Sequence, residues 1–161
     1  MFVPFESLPS DSRIWIYQAD RLLTEDEIDS IKSVAKNFIE EWTAHHLTLI
    51  ASFEIFHKLF LVLSVDESHN DASGCSIDKS IHFIKSVEMK FQLSLFDRFK
   101  IAFRRNGEIG IKQMNDFFNL PKKELISENI FIFNNLISEK SEMETGWEIP
   151  LQKSWLADKI I

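Results

Sequence analysis

The sequence predicts an α+β domain of the ferredoxin-like kind. That is a βαββαβ core with both helices on one face of an antiparallel sheet, followed by a C-terminal β-hairpin and strand extension. Three observations carry the prediction. Residues 24–42 open with a capping box and then keep one apolar helical face. Residues 51–65 form two strand-like runs, the second almost wholly apolar. "RRNGEI" joins two further strand-like runs through Asn106-Gly107.

Taken in order, "MFVPFESLPSDS" carries two prolines and several serines and reads as an irregular arm that packs down through Phe2, Val3 and Phe5. Residues 13–19, "RIWIYQA", alternate branched and aromatic side chains as a strand does. Thr24 and Glu27 then make a capping box. Ile28, Ile31, Val34, Ala35, Phe38, Ile39 and Trp42 share one helical face, with His45-His46 expected at the helix's negative end. Residues 51–57 alternate polar and apolar positions, which predicts one wet face. Residues 59–65 are almost wholly apolar, as a central strand covered on both sides would be. The turn between them, at Lys58, lacks Gly or Asn, so a single bent strand competes with a hairpin. Ile77, Ile81, Ile84, Val87 and Phe91 mark a second helix. "KIAFRR" and "EIGIKQ" flank the Asn106-Gly107 turn, "NDFFNL" makes a helical turn ended by Pro121, and "NIFIFNNLI" reads as the last strand.

At 161 residues one domain is expected, with a core over about 13–105 and an extension over about 106–161. A chain of this length buries roughly 70% of its unfolded surface. A composition of 45% hydrophobic and 27% charged residues excludes disorder. Fifteen phenylalanines against one tyrosine place the aromatic bulk in the core. The net charge of −7 argues against a nucleic-acid partner and against an anionic membrane surface, with "KIAFRR" the densest basic stretch. One cysteine makes no internal disulfide. No apolar run approaches the ~20 residues of a membrane span, and no basic-then-apolar leader opens the sequence. The expected location is the reducing cytoplasm, without membrane insertion.

Chemistry concentrates in "VDESHNDASGCSID". If the first strand and the apolar strand run side by side and parallel, residues 18–21 and 66–78 meet at one edge beneath two helix starts, where unpaired N–H groups favour an anion or a thiolate. On that reading Cys75 is a nucleophile with His69 as its base, or His57 in its place, and Gln18, Arg21, Asp66, Glu67 and Ser76 bind the ligand. Arg21 would answer an anion or pair with Asp20 or Glu25. The simpler reading makes Ser73 or Ser76 a helix cap and the loop a solvated closure. Asp66, Glu67, His69, Asp71 and Asp78 match neither a calcium-loop nor a zinc spacing, so no metal and no cofactor is assigned. Trp15 and Tyr17 on the first strand, with Phe60 and Val62 on the apolar one, suggest a base-stacking sheet. The RNA-recognition pattern is absent, and a tail carrying Trp147 and Trp155 is expected to cover those aromatics.

Through "SRIWIYQADRLLTEDEI", "WTAHHLTLIASFEI", "VDESHNDASGCSIDKSIHFI", "FIFNNLI" and "KSWLAD", almost the whole chain resembles a family of short bacterial proteins that carry the inherited label "ABC transporter ATPase". The resemblance implies no catalytic residues. The label also lacks its chemistry here: no Gly-Lys pair exists to end a phosphate-cradling loop, and Gly74, Gly107, Gly110 and Gly146 are the only glycines. The functional expectation is a non-catalytic domain that binds a protein partner or small ligand, with homo-oligomerisation open. A thiol-dependent enzyme and a loop metal site are the alternatives.

Overall fold

The computed structural model describes residues 1–127 and 129–160; of the expected extension, positions 128 and 161 lie outside the described residues. Strand β1 is Arg13–Gln18. Helix α1, Glu25–Glu40, opens with the expected capping box: Thr24 Oγ1 accepts the Glu27 amide and the Glu27 carboxylate accepts the Thr24 amide. It buries Ile31, Ala35 and Ile39. The helix stops at Glu40, short of the expected Trp42, and His45-His46 do not sit at its end. They form the two-residue turn between β2 (Thr43–Ala44) and β3 (Leu47–Thr48), with φ of 52° and 65°. A tight hairpin needs positive φ at both central residues, and the pairing of Ala44 with Leu47 holds two histidines there.

Strands β4 (Ile50–Phe56) and β5 (Phe60–Asp66) form a hairpin, not one bent strand. His57 and Lys58, both at φ 55°, supply the turn conformation that glycine usually provides. Helix α2, Gly74–Phe91, is capped by Ser73, whose side chain accepts the Ser76 amide. It ends at Gln92 in the left-handed region. Strands β6 (Lys100–Arg105) and β7 (Glu108–Gln113) flank the expected Asn106-Gly107 turn. Then follow α3 (Met114–Phe118), α4 (Lys122–Ser127), β8 (Ile130–Phe133), α5 (Glu142–Thr145) and β9 (Glu148–Pro150), so β8 is not the last strand.

Two antiparallel sheets result, ordered β1-β5-β4 and β7-β6-β8-β9, beside the small β2-β3 pair. The first sheet has the strand order of three ferredoxin-like strands, with α1 and α2 on one face. The fourth core strand departs from that plan: β6 joins the second sheet instead of pairing with β1. β1 and β5 are also antiparallel, Arg13 lying opposite Val65 and Gln18 opposite Phe60, against the parallel pair expected. The reason is geometric. The β1-α1-β4 crossover returns β4 in the direction of β1, so the hairpin-joined β5 inserted between them runs opposite to both.

The register assigns the faces. Trp15, Tyr17, Leu61, Leu63 and Phe53 share the helix-covered face, where Phe83 of α2 packs on Phe53 and Trp42 on Trp15. Phe60 and Val62 lie on the opposite face, so the four aromatic and branched residues read together in the sequence are split. That face is covered by the second sheet: Phe60 packs on Phe133 and Trp147, and Phe56 on Trp147. The expected wet face of β4 is therefore dry at Ser52, which is fully buried. On the outer side of the second sheet, Ile101, Phe103, Ile130 and Ile132 pack with Phe117 of α3, Leu125 of α4 and tail residues Leu151 and Leu156. The layers run helices, sheet, sheet, short helices. Trp147 is core, as expected of the tail, whereas Trp155 stays 49% exposed.

Candidate functional site

The loop after β5 is built from its own backbone bonds. The Asp66 carboxylate accepts the Ser68 amide at 3.0 Å, and the Ser68 hydroxyl and amide hold its carboxyl below the ordinary range. Glu67 accepts the Ala72 amide at 2.9 Å, and Asn70 donates to the Ala44 and Leu47 carbonyls of the β2-β3 hairpin. Ser76 donates its hydroxyl to the Ser73 carbonyl, and its own carbonyl accepts the buried Trp42 indole. Cys75 and His69 are exposed, and no hydrogen bond joins them. Among the described residues, no group of three or more His, Cys, Asp and Glu side chains gathers as a metal would require.

Gln18 and Arg21 do not meet this loop. The Arg21 guanidinium forks onto Glu27, Nη1 to Oε1 at 2.9 Å and Nη2 to Oε2 at 2.7 Å, and also donates to the Phe91 carbonyl at the far end of α2. It pairs with neither Asp20 nor Glu25. Its hydrogen bond, with that of the Thr24 amide, holds the Glu27 carboxyl down to about 2. Cys75 sits in the first turn of α2 and Phe91 ends it, so about 25 Å of helix separates the two groups. The shared edge expected beneath two helix starts therefore does not form. β5 runs against β1, so its end opens by the start of β1, beside the end of α1. Gln18 instead bonds to the Lys100 carbonyl and receives the Asn135 amide.

A groove of about 810 Å³ runs along the outer edge of β1, where a fourth ferredoxin-like strand would lie. Its floor is β1 itself. One wall is Ile77, Ile81 and Lys85 of α2 with the 95–98 turn, and the other is residues 135–138 after β8. The far end opens between Lys100, Met114 and Trp155. It forms because β6 leaves for the second sheet while the segment 138–140 pairs with the start of β1: the Ile14 amide donates to the Ser138 carbonyl and the Lys140 amide to the Ser12 carbonyl, both at 2.9 Å. Tyr17 meets the Phe96 ring edge-on at 5.5 Å, and burial pushes its phenol up from 10.0.

The charge in the groove inverts that of the whole chain. Among the described residues, four cations line it (Arg13, Lys85, Arg98 and Lys100) against Asp97 alone among acids. Among the described residues no carboxylate pairs with Arg13, Lys85 or Arg98; Arg13 lies 4.8 Å over the Trp15 ring, and Lys100 reaches Asp20 only at 3.8 Å. Sequence reasoning picked out Trp15, Tyr17 and the basic start of "KIAFRR" singly. It did not assemble them with Arg98 or with residues 135–138. The weak signal available was a cluster of apolar and basic residues in "SLFDRFK".

Comparison with protein-family models, with curated proteins and with solved structures found no match.

Proposed function

We propose that the chain is a non-catalytic binding domain of the bacterial cytoplasm, and that a protein partner or small ligand seats in the groove along β1. The observation that carries this reading is the groove itself. Its volume lies within the roughly 300–1,000 Å³ of ligand-binding clefts, and its lining is mostly aliphatic and aromatic with a few convergent polar groups. The loop at residues 66–78 supplies closure: Asp66, Glu67, Ser73 and Ser76 are spent on backbone bonds, and its thiol stands in solvent.

Thermal-shift screening of small carboxylates, phosphates and peptides tests it. Hits are expected to vanish in Leu136→Asp and Ile81→Asp, and to persist in Cys75→Ala and His69→Ala. Loss of binding in correctly folded Cys75→Ala or His69→Ala would return the function to the loop.

A further inference from the structure

We infer that the occupant of the groove is an extended peptide segment, apolar at its centre and acidic at both ends, laid as an added strand along the part of the β1 edge left free beyond Ile14. The inference rests on the groove reading above and names its partner class.

Three observations carry it. The first is backbone valence. Ile14 donates outward to Ser138 while Ala19 donates inward to Leu59, so alternation turns the N–H and C=O of Ile16 out of the sheet. Neither has a partner among the described residues, and Ile16 lines the groove. An unpaired edge of this kind templates strand addition.

The second is charge position. Arg13 stands at one end of β1, Arg98 and Lys100 at the other, with Trp15, Ile16 and Tyr17 between. The span of β1 is about 17 Å, the reach of five or six extended residues. Carboxylates at the two ends of such a segment meet Arg13 and Arg98, which have no carboxylate partner among the described residues, while the chain's net charge of −7 disfavours a polyanion.

The third is the lip. Phe96, Leu136 and Trp155 remain 41%, 78% and 49% exposed around the opening. A small ligand would be enclosed, whereas a chain that enters and leaves needs apolar contact along an open rim. Nucleic acid fits poorly, because the Trp15 face already carries the Arg13 guanidinium and Tyr17 packs on Phe96.

Fluorescence anisotropy with labelled heptapeptides tests the proposal. The probes carry a Leu-Val-Phe centre with glutamate, glutamine or lysine at both ends, and a single-stranded RNA heptamer serves as the competing class. The glutamate peptide is expected to bind best. It should weaken at least about tenfold when its central amides are N-methylated, and again in the Arg13→Glu/Arg98→Glu double variant, which favours the lysine peptide. Equal binding of all three peptides, lost in Leu136→Asp, overturns the acidic class but leaves the groove reading standing. Indifference to N-methylation overturns strand addition. Binding of the RNA in preference, or of no peptide at ~1 mM, overturns the peptide occupant altogether.

Discussion

The indole nitrogen of Trp42 donates to the carbonyl oxygen of Ser76 at 2.9 Å, with both residues 1% exposed. This bond ties the end of α1 to the first turn of α2 and so fixes the loop between β5 and α2 against the helix layer. Trp42→Phe removes the donor, while the Ser76 carbonyl keeps its place in the helix. The expected cost is about 1 kcal/mol in urea unfolding. An unchanged midpoint would show that the bond is incidental.

Phe103 and Gly110 face each other across β6 and β7, and the Phe103 ring lies on the glycine: a Cβ there would stand 2.8 Å from its tip. The ring is backed by Phe117 at 5.3 Å, so it has little room to retreat. Gly110→Ala should destabilise by about 1–3 kcal/mol, and Phe103→Leu should recover part of that loss in the double variant. Additive costs in thermal unfolding would contradict the contact.

Glu27 gives the fold an acid-sensitive bond. Its folded carboxyl titrates at about 2 against an ordinary 4.5, so its contribution is complete above 4.5 and disappears as pH falls toward 2. Glu27→Gln keeps a capping side chain and loses the exposed Arg21 pair. Its deficit should be below ~1 kcal/mol near neutrality and should shrink between pH 4.5 and 2. A deficit that stays constant across that window would mean that the ion pair contributes nothing.

A nitroxide on Cys75, the single exposed thiol, reads the topology directly. Paramagnetic broadening is expected at residues 43–47, whose carbonyls hold Asn70, and not at residues 20–23 or 91–95. Broadening of Arg21 would restore the shared edge that the antiparallel β1-β5 pair removes.

Much of the local structure was legible because it is written in short-range chemistry. Thr24 with Glu27, Ser73 before α2, Asn106-Gly107 and the apolar β5 each announce themselves within a few residues. The turns at His45-His46 and His57-Lys58 did not, since histidine and lysine adopt positive φ only when surrounding pairing holds them there. Strand direction was deducible in principle from the crossover and the hairpin. The departure of β6 was not, because it depends on which sheet buries Ala102 and Phe103 better. The groove was hidden for a related reason. Its lining comes from segments near residues 13, 81, 97 and 136, and each reads alone as ordinary core or surface.

The most direct test of the groove as the binding site is backbone amide chemical-shift mapping with the glutamate-ended peptide. Shifts confined to residues 13–18, 77–85, 95–102 and 135–138 are expected, with the amide of Ile16 among the largest. Shifts centred on residues 66–78, with Ile16 unmoved, would contradict it.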